Sequence, residues 1–156
     1  MRPDDLDAVT EIYAHYVAHT VVTFDTVQPD PQTMAQTLAL IPEGCPAYVC
    51  TDDGHTTGYC YAHPWKARAA YRFTLETTIY LHPSHTGKGL GTQLMHTLIE
   101  ACRQQGYHAL VACITIPNEA STRLHERLGF RRVSHFREVG CKFGRRLDVA
   151  DYELLL

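Results

Sequence analysis

The segment Tyr71-Arg72-Phe73-Thr74-Leu75-Glu76-Thr77-Thr78-Ile79-Tyr80-Leu81-His82-Pro83-Ser84-His85-Thr86-Gly87-Lys88-Gly89-Leu90-Gly91-Thr92 decides how this chain folds. It has the pattern of a strand, a glycine-rich turn and the start of a helix. Alternation places Tyr71, Phe73, Leu75, Ile79 and Leu81 on one face of a strand and Arg72, Thr74, Glu76 and Thr78 on the other. A strand over 71–81 would therefore carry Arg72 and Glu76 on the same face. In the turn, Gly87, Gly89 and Gly91 fall at alternate positions, and such a turn can aim several backbone N–H groups at an anion at the positive end of the following helix. A polar strand face running into an anion cradle predicts a phosphorylated cofactor held beside a titratable group.

Outward from this segment, the flanks repeat the alternation of helix and strand. Before it, Leu6, Val9, Ile12, Tyr13, Tyr16 and Val17 recur at helical spacing, which predicts a helix over 3–19 with Asp4 or Asp5 at its cap. A second helix is expected from Pro31 to Ile41, with a proline in its first turn and Pro42 past its end. Strands over 46–50 and 57–63 around Asp52-Asp53-Gly54 form a hairpin, and 64–68 is a connecting loop. After the segment come a helix over 91–105 closed by Gly106, a buried strand over 109–116, and a short helix over 119–128 closed by Gly129. Strands over 131–139 and 149–155 are expected on either side of a polar turn at 140–146. With no repeat or linker, the fold class is α/β, one domain over 1–156 with a single central sheet.

Composition narrows the function. A chain of 156 residues buries about two-thirds of its unfolded surface as one domain. The net charge of −3 and pI near 6.3 leave no basic field, which counts against a nucleic-acid partner. No apolar run reaches the roughly 20 residues of a membrane span, and Met1 to Leu6 lacks a signal-peptide pattern, so a cytoplasmic location is expected. Six cysteines occur without a C-x-x-C pair and read as free thiols or small apolar residues. Among ten histidines, His15 with His19 and His82 with His85 are close in sequence. Neither pair has an evident third ligand, so no metal is expected.

The glycine turn by itself is not specific. Gly87-Lys88-Gly89-Leu90-Gly91-Thr92 lacks the G-K-[ST] ending of a nucleotide-binding loop, and its third glycine comes one residue early for G-x-G-x-x-G. Thr86 to Gly91, however, is followed after a helix and a strand by Asn118-Glu119-Ala120-Ser121 and then Leu128-Gly129-Phe130. In this order the two motifs resemble those of the GNAT superfamily of acetyl-CoA-dependent N-acyltransferases. Within it the chain is similar to the phosphinothricin (methionine sulfone/sulfoximine) N-acetyltransferases. That similarity rests on Thr23-Phe24-Asp25, on 64–72 from Pro64-Trp65-Lys66 to Tyr71-Arg72, on Thr74-Leu75-Glu76, and on 139–145 with Gly140, Lys142 and Phe143.

The resemblance implies a GNAT fold, a mixed sheet whose splayed strands hold acetyl-CoA, and direct attack of a substrate amine on the thioester in a ternary complex. An ammonium must lose a proton before it attacks, and Glu76 matches the base, a reading favoured over an exposed strand carboxylate paired with Arg72 or Lys66. The backbones of Gly87, Lys88, Gly89, Leu90, Gly91 and Thr92 would take the CoA pyrophosphate, and those of Ile79, Tyr80 and Leu81 the pantetheine arm. Asn118 would bond the same arm or merely cap a helix. Arg72 would grip a substrate carboxylate or phosphinate. Phe24 and Trp65 would wall the pocket, with Lys66, Thr74, Lys142 and Phe143 nearby, and a homodimer is implied.

The chain departs from its family in four places. Thr86 stands where Gln or Arg is usual, and Arg146 where an aromatic is common. His125 occupies the place of a Tyr that protonates the leaving thiolate, a role imidazole could fill. Only Met1-Arg2 precede the first helix, so the sheet begins a strand short. Other readings are acetylation of a different amine or a protein N-terminus, or a non-catalytic acyl-CoA-binding protein.

Overall fold

A computed structural model describes residues 1–156. Four α-helices pack on a mixed seven-stranded sheet. The helices are α1 (Leu6–His19), α2 (Pro31–Ala39), α3 (Leu90–Gln104) and α4 (Glu119–Arg127). The strands are β1 (Ala47–Asp52), β2 (His55–Pro64), β3 (Thr74–Leu81), β4 (Ala109–Ile116), β5 (Arg131–Arg132), β6 (Phe136–Lys142) and β7 (Arg145–Leu155). The sheet order is β1-β2-β3-β4-β7-β5, and β6 pairs with β7 beside β5. Only β3 and β4 run parallel.

The helices cover both faces of the sheet. Leu94, Met95, Leu98 and Cys102 of α3 are buried with Leu75, Leu110, Ile114 and Ala150 from the strands and Phe130 after α4. On the other face Val9 and Ile12 of α1 and Met34 of α2 close over Tyr59. Asp30 caps α2, its carboxylate accepting from the Thr33 amide at 2.7 Å, and Pro31 fits the first helical position because no intrahelical acceptor exists for its missing N–H. The β1–β2 turn holds Asp53 and Gly54 at φ of 47° and 81°, the left-handed pair of a two-residue hairpin.

Three expectations need correction. The strand expected over 71–81 starts at Thr74. Its neighbour β2 ends at Pro64 opposite Leu75, so residues before Thr74 have no partner on that side and instead coil into a 3-10 turn at Ala69–Tyr71. Arg72 adopts a helical φ/ψ of −56° and −19°, which breaks the alternation that put it beside Glu76. The expected polar turn over 140–146 shrinks to Phe143-Gly144, with φ of 50° and 70°, and both strands continue through the flanking polar residues. The expected strand over 131–139 is two pieces, Arg131–Arg132 and Phe136–Lys142, and the second carries an irregularity between Phe136 and Gly140 that Asp148 holds. Its carboxylate accepts from the Glu138 amide at 2.9 Å and from His135 at 2.7 Å, while Glu138 takes a φ of 53°. Ahead of α1, Pro3–Asp5 form a 3-10 turn, and the Met1 ammonium donates to the Ala47 carbonyl at 3.0 Å.

Candidate active site

The site begins where the sheet comes apart. β3 and β4 are in register only for Thr74↔Ala109, Leu75↔Leu110 and Glu76↔Val111. Beyond Glu76 both strands run on, each paired only along its outer edge, β3 to β2 and β4 to β7. The inner edges of Thr78–Leu81 and Ala112–Ile116 therefore face one another across a gap. Thr77 bridges its narrow end, Oγ1 donating to the Val111 carbonyl at 3.3 Å. A cleft of about 660 Å³ follows the gap and continues past Gly87, Gly89, Gly91 and Thr92 to Asn118, Ser121 and His125. That volume suits a ligand of cofactor size.

Glu76 sits at the head of the cleft, half-buried. Burial raises its proton affinity above the ordinary carboxylate range; His63 opposite it on β2 opposes the shift and Asp151 adds to it. A carboxyl group so placed can take a proton nearer to neutrality than a solvated one.

The glycine loop forms the far wall. Gly87 and Gly89 hold φ of 75° and 83°, conformations that let the chain turn into α3 without a strained side chain. A Cβ on Gly91 would meet Leu124, Leu81 and Ile79 at 3.4–3.7 Å, so its bare backbone lets the start of α3 lie close to both β3 and α4. The first-turn amides of α3 have no intrahelical acceptor. Thr92 differs, since its amide donates to the Gly89 carbonyl at 3.1 Å. The Asn118 side chain accepts from the Ser121 amide at 3.1 Å and so caps α4 at the cleft wall.

His125 is buried, packed edge-on against Phe130, with ring centroids 5.0 Å apart. Its Nδ1 lies 2.8 Å from the Ser121 carbonyl, which accepts only, so Nδ1 carries the hydrogen. Nε2 is buried without a partner and is left as an acceptor. Burial also lowers the imidazole's proton affinity, against the Ser121 bond. In this neutral tautomer Nε2 carries no proton.

The remaining expected residues divide sharply. Phe24 lines the cleft, whereas Trp65, Lys66, Arg72, Thr74, Lys142 and Phe143 do not. Lys66 lies over the Trp65 ring at 3.9 Å and near Tyr71 at 5.4 Å. The Arg72 guanidinium stacks on exposed Phe73 at 4.4 Å. Thr74 takes part in the β3–β4 pairing, and its carbonyl accepts from the Trp65 amide at 3.3 Å. Phe143 is at the exposed hairpin tip. Lys142 is 2% exposed and donates from Nζ to the Thr23 carbonyl at 2.8 Å. Burial pulls its ammonium below the ordinary lysine range, with Asp25 opposing. Lys142 is thus a strut under the segment that presents Phe24, and next to it the Phe24 ring fills the space over Gly140.

The sequence profile of the acetyltransferase (GNAT) family matches residues 9–130. The chain belongs to the GNAT acetyltransferase family. As a member it is an acetyl-CoA-dependent N-acetyltransferase. It is 43% identical over 154 residues to a phosphinothricin N-acetyltransferase of Streptomyces coelicolor, covering 96% of this chain and 90% of that protein. It is 41% identical to an L-methionine sulfoximine/L-methionine sulfone acetyltransferase of Salmonella typhimurium, covering 97% and 90%. A GNAT phosphinothricin acetyltransferase from Sinorhizobium meliloti, solved with acetyl-CoA, superposes with a TM-score of 0.96 at 35% identity, covering 100% of this chain and 85% of the other. The splay between β3 and β4 and the turn into α3 are the GNAT features anticipated from the sequence.

Several cleft residues of this GNAT chain escaped the sequence. Tyr16 lines the cleft and donates its hydroxyl to the Leu81 carbonyl at 2.7 Å, yet in the sequence it is one more apolar position of α1. Cys113 is exposed in the cleft on β4, within what reads as a continuous buried run. All six cysteines are unpaired. His15 and His19 have ring centroids 5.0 Å apart, and nowhere do three metal-ligating side chains of the His, Cys, Asp and Glu set converge.

Proposed function

We propose that this enzyme acetylates the amino group of a small amino-acid-like substrate of the phosphinothricin, methionine sulfone or methionine sulfoximine type, by direct attack in a ternary complex. The observation that carries this reading is the half-buried Glu76 at the head of a cleft whose two walls are free strand edges and a glycine turn. Names borne by relatives at 41–43% identity supply the substrate class.

Acetyl-CoA brings the acetyl group as a thioester, and the cleft fits it. The first-turn amides of α3 with Gly87, Lys88 and Gly89 would hold the pyrophosphate at the positive helix end. The free edge of Ile79, Tyr80 and Leu81 would receive the pantetheine amides as a strand receives a partner, and an amide aimed at the thioester oxygen would stabilise charge developing there. Asn118 already caps α4 through Oδ1, which leaves its amide nitrogen for the same arm. Glu76 accepts the proton of the substrate ammonium, directly or through water, and its raised proton affinity suits that task near neutral pH. His125 serves as a hydrogen-bond acceptor at the wall and the thiolate leaves without it. Phe24 bounds the acceptor end.

Arg72, Lys66 and Phe143 lie outside the cleft of their own chain, and in this reading they meet substrate in a homodimer. Phe136, Val139 and Phe143 on β6 and its turn are 49%, 59% and 59% exposed, an apolar strip suited to a second copy of the chain. Unpaired cysteines fit a reducing cytoplasm. Neither nucleic acid nor membrane is proposed as a partner, given the net charge of −3, and no helix is long and apolar enough to cross a membrane.

A thiol-release assay with acetyl-CoA against phosphinothricin, methionine sulfone, methionine sulfoximine and the common amino acids tests the reading. Turnover is expected with at least one of the three analogues. Acetyl-CoA binding with no CoA release across the panel would overturn it.

A further inference from the structure

Side chains from four strands line up on the face of the sheet that carries Glu76. His63 of β2 is directly opposite Glu76. Glu76 pairs with Val111, so Cys113, two residues further along β4, shares its face. Asp151 of β7 is directly opposite Cys113, which puts their side chains next to each other on that same face. The β4–β7 pairing is unbroken from Ala109 to Ile116. Asp151 is further fixed through its backbone, whose amide accepts no freedom: it donates to Ser134 Oγ at 2.8 Å while the carbonyl accepts from the Val133 amide at 2.8 Å. A second carboxylate is thus held on the same sheet face as the base, on the strand next to the cleft-lining Cys113.

Asp151 takes part in none of the four ion pairs of the chain. Glu153, the next acid on this face, is in none of them either; it is opposite Arg131 of β5, and Val111, 4% exposed, stands between it and Glu76. The other titratable groups that act on Glu76 are His63 and Tyr61 from β2, and Asp25 from the segment before α2 acts in turn on Tyr61. Cys113 registers both carboxylates. Desolvation first, then the charges of Asp151 and Glu76, push its thiol up to about 12, so it stays a neutral group between them.

We propose that Asp151 is a positioning residue for acetyl transfer, acting through Glu76 as the second carboxylate on its face across the splay, with the Cys113 thiol between the two. This rests on Glu76 as the base. In the proton step a substrate N–H bond breaks and a Glu76 O–H bond forms, so the carboxylate becomes neutral and the amine loses its positive charge. A fixed negative charge nearby favours the neutral carboxyl over the carboxylate, and so strengthens the base.

The pH dependence of kcat/KM for the amine tests this, with Asp151→Asn and Asp151→Glu. Two strands' separation is roughly 10 Å, and over that distance the like-charge effect amounts to about 0.3 to 1 pH unit between watery and protein-like screening. The acidic limb of Asp151→Asn should move down by that amount, with KM for acetyl-CoA unchanged, while Asp151→Glu keeps the limb near its wild-type position. An unmoved limb in a folded Asp151→Asn enzyme, or a Glu variant that behaves like Asn, would overturn the proposal. Glu76→Gln separates the two ideas. If it abolishes the limb while Asp151→Asn leaves it in place, only the role of Asp151 fails; if Glu76→Gln leaves the limb in place, the base assignment fails first.

Discussion

Replacing Gly140 by alanine tests how the acceptor end of the cleft is shaped. A Cβ at this position would lie 2.2, 2.3 and 2.9 Å from Cε2, Cζ and Cδ2 of Phe24. Comfortable carbon–carbon contact is about 3.5–4.0 Å, so the ring must retreat by roughly 1.5 Å. Gly140 does not occupy the left-handed region, so the added methyl strains the contact and not the backbone. Forcing a methyl into a closed core costs about 1–3 kcal/mol. Phe24 is 39% exposed and can swing outward, which places the stability loss at the low end, about 1 kcal/mol. The larger effect falls on the cleft, which loses part of its wall. Misplacing a substrate by about 1 Å can cost up to 100-fold, and a displaced wall residue is expected to lower kcat/KM for the amine about tenfold, leaving KM for acetyl-CoA unchanged. Steady-state kinetics with each substrate varied in turn, together with thermal melts, would measure both. In a Phe24→Ala background the Gly140→Ala change should have almost no effect on kcat/KM, a coupling that a double-mutant cycle reads directly. Additive effects of the two changes, or an unaltered KM and kcat for the amine in Gly140→Ala, would refute the reasoning.

Three further outcomes are expected. Glu76→Gln should lower kcat by about 10²–10⁴ while acetyl-CoA binding survives. Because folding raises the proton affinity of Glu76, the native state favours the protonated form, and this group's contribution to stability is fully present below its unfolded value of 4.5 and is lost as pH rises through the folded one. Glu76→Gln should therefore melt higher than the parent at neutral pH, with the gain fading in acid; a lower melting point at pH 7 would contradict this. Lys142→Met removes the Nζ bond to the Thr23 carbonyl but also the cost of burying an ammonium, so stability should change by no more than about 1 kcal/mol, while KM for the amine rises as the segment carrying Phe24 loosens. A loss above about 3 kcal/mol would instead indicate a paired buried charge. His125→Gln should keep the alkaline limb of kcat, because a neutral imidazole protonated on Nδ1 gives no proton from Nε2; disappearance of that limb would restore His125 as the acid.

Much of the fold was legible because its signals are local. The β4 limits of Ala109–Ile116 follow from an apolar run between Gly106 and Pro117, and α2, α3 and α4 carry caps and glycine stops close to their observed ends. Gly87, Gly89, Gly91 and Asn118 lie on the wall of one cleft. The misreadings share a physical origin in pairing between distant segments. Alternation at Tyr71–Phe73 resembles a strand, but the partner needed there ends at Pro64. The polar residues 140–146 resemble a loop, but they pair with one another because Phe143 and Gly144 both adopt left-handed conformations. No sequence spacing places Asp151 opposite Cys113, or Phe24 over Gly140, since each contact joins elements far apart in the chain. Lys142 shows the same limit: the resemblance put it near the substrate, and only the fold turns its ammonium inward to a carbonyl.

The parted strands have a consequence for the protein's handling as well as its chemistry. Two inner edges with unpaired backbone groups are a template onto which an extended segment of another molecule can add. A ligand lying along them removes that opportunity and, bound at about 100 times its dissociation constant, stabilises the native state by about 2.7 kcal/mol. The cellular acetyl-CoA supply would then govern how long each enzyme molecule survives, with starved cells holding a pool more prone to clumping and proteolysis. Purification with CoA or acetyl-CoA in the buffer should extend shelf life for the same reason.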